Sequence, residues 1–370
     1  MAEIKNPKIL HVVLSMNVGG AERLVYDMTK YPAFAMNPPI VCCLDAVGEL
    51  GELLLQEGYQ VYCKGRRPGL DLEIITWLRD IIRQEKVDVV HAHQYSPLFY
   101  AVPAALLAGR TKVVYTEHGR FYPEKKSWKR WLFNPLLAMG VDHLVSISEA
   151  TARAMATYDN FPRRKIKIIH NGIDCSIMDL FFDKEKKRKE IGLSQPFRIL
   201  GTAARLNSIK NIQMMIRGLK LILQQIPDAC LVIAGQGEEE KYLKTLAREL
   251  GIYDRVKFIG LRFDLPEIYP LFDVFLLTSF SEGISVTLLE AMANNIPVVV
   301  TDVTGNREVV VEGKTGYLVS VDDDQLLTQR VCDLLQNANL ADRIKSAARE
   351  RLEHEFALDG MMKKYQQLYQ

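Results

Sequence analysis

The chain has 370 residues, of which 48% are hydrophobic and 25% charged, and its formal net charge is +2. That length is too great for one small core and predicts two domains, and the composition is that of an ordinary globular protein. Because the net charge is close to zero, we expect no bulk binding to nucleic acid, and a charged partner would be recognised by a local patch.

Cysteine usage and hydropathy further restrict the class of protein. The six cysteines are scattered and form no Cys-x-x-Cys pair, which predicts reduced core residues and neither a disulfide framework nor a zinc site. No apolar run approaches the twenty residues that span a bilayer, and the apolar stretch after Met1 lacks a small-residue cleavage site. We therefore expect a cytoplasmic protein that does not cross a membrane.

Short β-branched runs alternate with longer amphipathic segments, a pattern typical of parallel α/β structure. The strands predicted in the first half span residues 9–15, 40–44, 60–63, 87–91, 112–116, 143–147 and 166–169. The second half repeats the pattern with strands at 198–202, 230–234, 256–259, 274–277 and 298–301. The predicted helices include 21–29, 72–85, 97–108, 211–225, 239–250 and 286–293.

A polar stretch between the two halves marks the domain boundary. It contains the charged run Lys184–Glu190, which we expect to be a solvated helix face rather than a nucleic-acid site. The prediction is an α/β protein of two Rossmann-like, doubly wound domains, with a ligand in the crevice at the carboxyl ends of the strands. The predicted divisions are an N-terminal domain at 1–178, a linker at 179–196, a C-terminal domain at 197–352 and, at 353–370, a helix that packs back on the N-terminal domain.

Two loops of the first half carry candidate binding groups. The first strand is followed by Gly19 and Gly20, and paired glycines at a strand-to-helix turn let backbone amides approach a phosphate or a sugar. A tight turn without a ligand is the alternative. The fifth strand is followed by His118, which could donate to a sugar hydroxyl or assist proton transfer. His91 and His93 follow another strand without an apparent third ligand, so we expect loop packing rather than a metal site.

A basic, aromatic segment runs from Arg120 to Phe133 and interleaves five cations with five aromatic side chains. An amphipathic helix of this composition can lie on an anionic membrane surface, where it would deliver a lipid-linked acceptor. The alternative is a partly buried helix whose Lys and Arg side chains reach past apolar neighbours to solvent. The sequence favours neither.

Loops after three strands of the second half suit a nucleotide-linked ligand. Arg205 and Lys210 follow the first of these strands, and two cations five residues apart can bracket a diphosphate, although ordinary surface charge leaves the same pattern. Gly235 follows the next strand, and Leu261 and Arg262 follow the one after it. Loops that present backbone atoms in this way suit the edge of a nucleobase.

The segment from Phe280 to Val300 is the most informative. Glu282 precedes a short predicted helix and Glu290 follows eight residues later. Eight helical residues advance about 12 Å and rotate roughly 80° off the starting face, which is unsuitable for the close acid/base pair of a glycosidase. The two carboxylates can instead contact two parts of one long ligand, with a diphosphate at the helix N-terminus between them. The plain alternative is a helix-flanking acid and a solvated one.

These motifs together resemble glycosyltransferase family 4, of GT-B fold, over nearly the full length of the chain. The resemblance is most specific in the E-x(7)-E element formed by Glu282 and Glu290 and in the pair Arg205 and Lys210. It implies two Rossmann-like domains facing across a cleft. It also implies a retaining transferase that moves a sugar from a nucleoside diphosphate, with UDP expected, to a hydroxyl of a glycan or lipid-linked acceptor in cell-envelope or exopolysaccharide synthesis.

The resemblance implies a role for each matching residue. Glu290 would bind the ribose hydroxyls, Glu282 would hold the donor sugar, and His118 would lie near the transferred sugar. Arg205 and Lys210 would neutralise the departing diphosphate. The implied catalytic residues are His118, Glu282, Arg205 and Lys210. The implied donor-binding residues are Gly19, Gly20, Arg205, Lys210, Gly235, Leu261, Arg262, Glu282, Gly283, Ile284, Ser285, Val286, Thr287 and Glu290.

The resemblance further implies that no cofactor and no metal ion is needed beyond the nucleotide sugar. The acidic triplet Asp322 to Asp324 has the pattern of a metal holder, but it begins a late helix, where we expect acids to act as caps. Two other functions stay open. A nucleotide-sugar epimerase of the same fold would turn over its donor without an acceptor, and a non-catalytic nucleotide-sugar-binding protein would turn over nothing.

Overall fold

In the computed structural model the described residues are 7–119, 127–175, 182–193 and 195–370. They form two compact units, one made of Met1–Asn171 with Asp359–Gln370 and the other of Gly172–Leu358. The first unit therefore ends before residue 178, the predicted boundary, and the chain returns to it at Asp359 rather than at 353.

Strands and helices alternate through most of the described residues. The strands are β1 (Ile9–Ser15), β2 (Ile40–Ala46), β3 (Val61–Cys63), β4 (Val89–His93), β5 (Lys112–Glu117), β6 (His143–Ser146), β7 (Ile166–Ile168), β8 (Arg198–Ala203), β9 (Ala229–Ala234), β10 (Val256–Gly260), β11 (Val274–Leu277), β12 (Val298–Thr301) and β13 (Tyr317–Val319). The helices are α1 (Gly20–Thr29), α2 (Gly48–Gln56), α3 (Glu73–Gln84), α4 (Tyr95–Ala108), α5 (Trp128–Met139), α6 (Glu149–Asp159), α7 (Lys184–Glu190), α8 (Ile212–Ile222), α9 (Glu240–Glu249), α10 (Leu265–Ile268), α11 (Val286–Ala293), α12 (Thr304–Val309), α13 (Asp324–Gln336), α14 (Ala338–Glu355) and α15 (Leu358–Tyr369).

The first unit contains a seven-stranded sheet in the order β3-β2-β1-β4-β5-β6-β7. Each described pair of neighbouring strands is parallel, with Leu10 opposite Ile40 and His11 opposite His91. The strand order reverses between β1 and β4, and in sheets of this kind ligands bind beyond the carboxyl ends of the strands at that reversal. α15 belongs to this unit, where Tyr365 and Tyr369 are buried.

The second unit contains a six-stranded parallel sheet in the order β10-β9-β8-β11-β12-β13. Here the reversal lies between β8 and β11, whose Leu200 and Val274 are paired. Buried aliphatic side chains of both the strands and the covering helices, such as Leu231 and Leu219, form its core. The fold class predicted from the sequence, two parallel α/β Rossmann-like domains, is confirmed.

Two elements differ from the sequence prediction. β13 was not predicted, although it is no shorter than β3 and β7, which were. β4 begins two residues later than predicted and extends through His93, so His91 and His93 lie within a strand and not in a loop. This shift places both imidazoles on one face of the sheet, since residues two apart in a strand point the same way.

The predicted linker is in part a packed helix. α7 carries the charged run, and the ammonium of Lys187 lies 2.9 Å from Glu190, 2.7 Å from Asp264 and 2.6 Å from Glu267. Only 11% of the Lys187 side chain is exposed, so α7 is attached to the second unit by a network of ion pairs. Four residues of the predicted linker, 179–181 and 194, lie outside the described residues.

The cysteines and the lengths of the helices relate to two predictions from the sequence, that the thiols are reduced core residues and that no helix spans a membrane. Cys42, Cys43, Cys230 and Cys332 are buried free cysteines, as predicted, whereas Cys63 is exposed. Throughout the described ranges, every helix is either too short or too polar to cross a bilayer.

Candidate functional site

The loops after β8 and β11, which meet at the strand reversal of the second unit, are joined by hydrogen bonds. The amide of Phe280 donates to the carbonyl of Ile209 at 2.8 Å, and the hydroxyl of Thr278 donates to the carbonyl of Asn211 at 2.8 Å. These bonds hold two segments some seventy residues apart in the sequence as one surface.

Lys210 and Glu282 form a direct ion pair on this surface. The Lys210 Nζ lies 2.6 Å from Glu282 Oε1, and the hydroxyl of Ser279 donates to the same oxygen at 2.6 Å. Ser279 is in turn held through its carbonyl, which accepts from the hydroxyl of Thr301 at 2.6 Å. Because only 9% of the Glu282 side chain is exposed, the carboxylate is fixed by two donors and the ammonium is presented beside it.

Gly305, at the start of α12, packs against the loop that carries Glu282, and it was not predicted from the sequence. A Cβ at Gly305 would lie 1.6 Å from the carbonyl oxygen of Gly283 and 2.6 Å from that of Glu282. No other residue type therefore fits without moving the loop that carries Glu282. A glycine after a strand was the only signal in the sequence, and it is too common to single out a position.

Arg205 lies in the loop after β8 with its side chain exposed. Among the described residues it has no side-chain hydrogen bond or ion pair, so its guanidinium is available to a ligand. A single 3₁₀ turn, Ser208–Lys210, follows it and is capped by the side chain of Asn207, which accepts from the Lys210 amide at 3.3 Å. The two predicted cations thus differ, since Lys210 is paired with Glu282 whereas Arg205 is exposed to solvent.

The N-terminus of α11 lies directly after the Glu282 loop. Ser285 is its N-cap residue but makes no capping bond with its side chain, and its hydroxyl lies 3.1 Å from that of Thr287. The first-turn amides of a helix, here Val286 to Leu288, have no acceptor within the helix. Ile284, just before them, is buried. The predicted segment therefore supplies amide donors and the positive end of a helix dipole.

Glu290 is held in the same helix by a residue that sequence reasoning missed. The phenol of Tyr269 donates to Glu290 Oε2 at 2.6 Å, and Tyr269 is buried. The two residues lie in different elements, so nothing in the sequence connected them. This hydrogen bond fixes the position of one carboxylate oxygen and thereby the orientation of the other.

The loops after β8, β9 and β10 pack through their backbones. The Gly235 amide donates to the Gly260 carbonyl at 2.7 Å, and the Leu206 amide donates to the Gln236 carbonyl at 3.0 Å. Gly235 has φ of +133°, and a Cβ there would lie 1.9 Å from the Ala204 carbonyl oxygen, so this approach requires glycine. Leu261 follows Gly260 and is partly exposed.

Arg262 is engaged differently from the rest of the predicted donor-binding set. Its guanidinium pairs with Asp264, with Nε to Oδ1 at 2.8 Å, and also with Glu190 of α7. Burial raises the pKa of Asp264, but the hydrogen bonds from Arg262 and Lys187 outweigh it and lower that pKa to about 2. Arg262 is therefore already neutralised by two carboxylates and serves to attach α7 to β10.

The acidic triplet at residues 322–324 caps a helix, as predicted. Asp323 is the N-cap of α13, and its carboxylate accepts from the Leu326 amide at 2.9 Å. Asp324 and Asp322 both pair with Arg217, at 2.6 Å and 3.0 Å. These carboxylates are committed to structure.

In the first unit, the predicted glycine loop and His118 follow strands that are both near the reversal. Gly19 is the N-cap residue of α1 in extended conformation, and Gly20 is the first helical residue. His118 follows β5, and its Nε2 lies 2.9 Å from the Nδ1 of His93. Burial lowers the pKa of His118 to about 4, so this imidazole is neutral at physiological pH.

The expectation that His91 and His93 pack in a loop without a third partner is wrong. His11 of β1 joins them, and one ring nitrogen from each of the three lies within 4.8 Å of the others. All three rings are buried, and burial lowers the pKa of each, that of His11 to about 3. His91 bonds to the hydroxyls of Tyr369 and Thr116, both at 2.8 Å. Alternating residues of β1 and β4 brought these rings together, a signal that depends on knowing which strands are adjacent.

Comparisons with known proteins bear on these two sites. Residues 18–177 match the family described as Glycosyltransferase Family 4, and residues 183–351 match the one described as Glycosyl transferases group 1. The putative glycosyltransferase EpsD of Bacillus subtilis is 30% identical over 288 residues, which is 76% of each chain. The chain belongs to glycosyltransferase family 4.

Other similar proteins of this glycosyltransferase family have more specific names. An N-acetyl-α-D-glucosaminyl L-malate synthase of Bacillus anthracis is 27% identical, over 82% of this chain and 79% of that one. A UDP-Gal:α-D-GlcNAc-diphosphoundecaprenol α-1,3-galactosyltransferase of Escherichia coli is 29% identical, over 85% and 84%. Among solved structures, Anabaena HepE in complex with UDP and glucose superposes with a TM-score of 0.86 at 24% identity and covers 98% of each chain, which shows the shared GT-B fold.

Proposed function

We propose that this glycosyltransferase is a retaining, hexosyl-transferring enzyme that takes a nucleoside diphosphate sugar as donor. One observation carries the proposal: the Lys210–Glu282 ion pair at the strand reversal of the second unit, next to the N-terminus of α11. The cation and the helix amides suit a diphosphate, and the carboxylate suits sugar hydroxyls.

The groups divide the donor among them. The diphosphate would bind Lys210, the exposed Arg205 and the amides of Val286 and Thr287. Glu290, oriented by Tyr269, would accept hydrogen bonds from the ribose hydroxyls. Lys210 and Ser279 both bond to Oε1 of Glu282, so the other carboxylate oxygen, Oε2, would accept from a sugar hydroxyl.

In the proposed transfer, the bond between the anomeric carbon and the diphosphate oxygen breaks while the acceptor hydroxyl oxygen bonds to that carbon from the same face. The acceptor proton passes to the departing diphosphate oxygen. Negative charge grows on the diphosphate as the bond breaks, and fixed cations and amides stabilise it more in the transition state than in the ground state. These donors do the work of a divalent cation, so we propose that transfer needs no metal ion.

We propose UDP as the nucleotide and a glycan or lipid-linked hydroxyl as the acceptor, in cell-envelope or exopolysaccharide synthesis. Two similar proteins support this choice, since the Escherichia coli galactosyltransferase is named for a UDP-galactose donor and a diphosphoundecaprenol-linked acceptor, and Anabaena HepE is in complex with UDP and glucose.

The test is a donor panel of UDP-glucose, UDP-galactose, UDP-N-acetylglucosamine and GDP-mannose, in buffer with EDTA, with and without octyl glycoside acceptors. We expect one UDP-sugar to give a product whose anomeric ¹H–¹H coupling shows the configuration of the donor. A product of opposite configuration would contradict retention, and donor epimerisation without acceptor would favour the epimerase alternative. Absence of product formation or donor turnover with every pair would leave a non-catalytic binding protein as the better reading.

We further propose peripheral contact with an anionic membrane through α5, because its apolar stripe faces outward. Trp128, Trp131, Leu132, Leu136 and Met139 are 54–78% exposed, although residues spaced in this way would form the buried face of an ordinary surface helix. The buried face instead carries Asn134, which donates to the carbonyl of Asp159 at 2.7 Å. Two of the three tryptophans lie on the outward stripe, as in helices that rest at the lipid interface.

The membrane proposal has its own test, which needs no donor. The purified full chain should sediment with phosphatidylcholine vesicles that contain phosphatidylglycerol and not with phosphatidylcholine alone. The double variant W128S/W131S should lose most of that binding, while Leu70→Ser removes an equally exposed apolar side chain outside α5 and should keep it. Equal binding by both variants would contradict a role for α5. The part of the predicted segment at residues 120–126 lies outside the described residues.

A further inference from the structure

Three imidazoles of the first unit form a continuous hydrogen-bonded chain. His11 Nδ1 lies 3.0 Å from His93 Nε2, and His93 Nδ1 lies 2.9 Å from His118 Nε2. His11 lies in β1, His93 lies in the adjacent β4, and His118 directly follows β5, which is the next strand of the sheet. His11 is opposite His91 and His93 is opposite Thr116, so each step of the chain moves one strand across and two residues along one face of the sheet.

A chain of this kind couples the protonation of its members. Each hydrogen bond between two neutral imidazoles needs one N–H and one bare nitrogen, and each neutral ring has one of each. If His11 donates from Nδ1, His93 must donate from Nδ1 as well, and His118 is left with its proton on Nδ1. If the direction reverses, all three protons lie on Nε2. The chain therefore has only two fully bonded states.

The two states differ in where an unpaired N–H is left. Among the described residues, His11 Nε2 and His118 Nδ1 are the two buried ends of the chain that have no hydrogen-bond partner. His11 is wholly buried within the sheet, whereas His118 lies beyond the end of β5 and is partly exposed. An orphaned N–H deep in a protein is costly and rare. The state with the proton on His118 Nδ1 leaves the unpaired N–H in a residue that is partly exposed, and not in the ring that is wholly buried within the sheet.

Burial and surroundings keep the chain neutral and static. Desolvation lowers the pKa of His11 to about 3 and that of His118 to about 4, and it is also the main cause that lowers the pKa of His93. Within the described part of the chain, His11 and His93 have no carboxylate or cation as a hydrogen-bonding partner. Because the chain ends at a buried nitrogen without an acceptor, it has no exit for a proton and cannot act as a proton wire.

A metal ion is a poorer account of the same rings. Both nitrogens of His93 are used in the chain, and both nitrogens of His91 are bonded to hydroxyls of Tyr369 and Thr116. Thr116 also bonds to Tyr365 of α15 at 3.0 Å. A cation would have to displace several of these bonds and would gain no anionic ligand in exchange.

We propose that His93 and His11 are positioning residues that hold His118 as the Nδ1–H tautomer, so that His118 meets a sugar as a hydrogen-bond donor and not as a base. The inference rests on the proposed function for the contact with sugar, but the tautomer is a property of the ligand-free chain. Sugar hydroxyl or ring oxygens are the acceptors that such a fixed N–H would select.

The test is a long-range ¹⁵N–¹H correlation spectrum of the full chain labelled at histidine, at neutral pH, with EDTA and without donor. The seven histidines are assigned by single substitutions, including His118→Gln and His93→Phe. We expect Nδ1 protonated and Nε2 bare in His11, His93 and His118. The exposed His354 supplies the spectrum of a histidine without a fixed partner. Protonated Nε2 in His118 would overturn the proposal, whether or not any glycosyl transfer is detected.

Variants at His93 test the coupling. His93→Phe keeps a ring and removes both bonds, so His118 should lose its single tautomer and kcat should fall about tenfold, with the KM of the donor changed less. His93→Asn offers an amide N–H near the position of Nδ1 and should restore the His118 tautomer and most of kcat. The matched control is His91→Gln, which changes an equally buried histidine that contacts His93 but lies outside the chain, and it should leave the His118 tautomer as it was.

Three results would overturn the proposal. One is an unchanged His118 spectrum in His93→Phe. Another is the same change of tautomer in His91→Gln, which would mean that packing and not the chain sets the proton. The third is a stoichiometric metal ion in the purified protein whose removal alters the spectra of His11, His91 and His93. If His93→Phe fails to fold, the spectrum of the unsubstituted chain still decides the tautomer.

Discussion

The candidate site of the second unit is built from charges on loops, whereas that of the first unit is built from neutral rings on strands. Lys210 and Glu282 are partly accessible and pair at 2.6 Å, while His11 and His93 are buried and bonded only to other imidazoles. Charges on loops can exchange partners when a ligand arrives. A chain of buried neutral rings cannot, so it fixes the direction of one hydrogen bond.

This difference matches two needs of glycosyl transfer. A leaving diphosphate gains charge during the reaction and is best stabilised by cations and amides that are already in position. A sugar has no charge, and its hydroxyls are distinguished by donors and acceptors of fixed direction. The comparison therefore predicts that substitutions in the second unit will act mainly on the chemical step and on nucleotide binding, and those in the first unit on orientation.

Lys210→Ala should have the largest effect. Loss of one positioned donor to a developing negative charge typically lowers kcat about 10²–10³-fold. Release of nucleoside diphosphate in the presence of acceptor measures it, and Lys220→Ala, an exposed lysine of α8, is the control. A Lys210→Ala enzyme with kcat within about twofold of the parent would remove Lys210 from the mechanism.

Gly305→Ala should come next and sharpens the claim that loop position matters in the second unit. The added Cβ would overlap the Gly283 carbonyl, so the loop with Glu282 must move, and a displacement of about 1 Å at a catalytic group can cost roughly 10²-fold in rate. Gly360→Ala adds a methyl group where no atom lies within 4 Å and should leave the rate unchanged. Both rates are to be compared after thermal melts confirm folding, and equal rates would contradict the expectation.

Glu290→Gln should weaken binding of the ribose and so separate nucleotide recognition from chemistry. Hydrogen bonds to a charged group contribute about 1.5–3 kcal/mol, so the dissociation constant of UDP should rise about 10–100-fold. The parent should bind UDP more tightly than its 2′-deoxy analogue, and the variant should discriminate less. Tyr269→Phe should show a smaller loss of the same kind. Undiminished discrimination in Glu290→Gln would place the ribose elsewhere.

The pH dependence of the free energy of unfolding tests whether the buried imidazoles are neutral, and we expect it to be the smallest of these effects. A histidine whose folded pKa is lowered binds fewer protons in the native state, so its contribution to stability is complete above pH 6.5 and is lost as pH falls towards the folded value. For His11, with a folded pKa of about 3, the loss is about 1.4 kcal/mol per pH unit well below pH 6.5. Urea unfolding between pH 6 and 5 should therefore show a shallower dependence in His11→Gln. His354→Gln controls for loss of an exposed histidine, and parallel slopes in parent and His11→Gln would contradict a buried neutral ring.

Local patterns predicted most of the fold. β-branched runs and amphipathic segments located twelve strands to within a few residues, because the sheets are parallel and most of their inner strands are buried. The errors were the omission of β13 and the placing of both ends of β4 two residues too early. The error at β4 was a shift of only two residues, but it concealed a histidine cluster within the sheet.

Residues of the candidate sites could be predicted from the sequence where they lie together in one contiguous motif. Lys210, Glu282 and the start of α11 follow strands as expected, but their mutual contacts depend on the strand order, which puts β11 beside β8. Tyr269, Gly305 and His11 act across elements far apart in sequence, and one sequence has no local signal for such pairs. For Arg262, the position in a loop after a strand predicted contact with a ligand. In the structure its guanidinium pairs with Asp264 and Glu190, and nothing in the sequence indicated the pairing with Glu190.

The measurement that tests the central claim most directly is calorimetric titration of the full chain with UDP, GDP and ADP in the presence of EDTA, repeated with Lys210→Ala and Glu290→Gln. We predict saturable binding of UDP at one site, weakened about tenfold or more by each substitution. If none of the three nucleotides binds, or if UDP binds equally to the parent and to both variants, the donor site is not the surface formed by the loops after β8 and β11 and the N-terminus of α11.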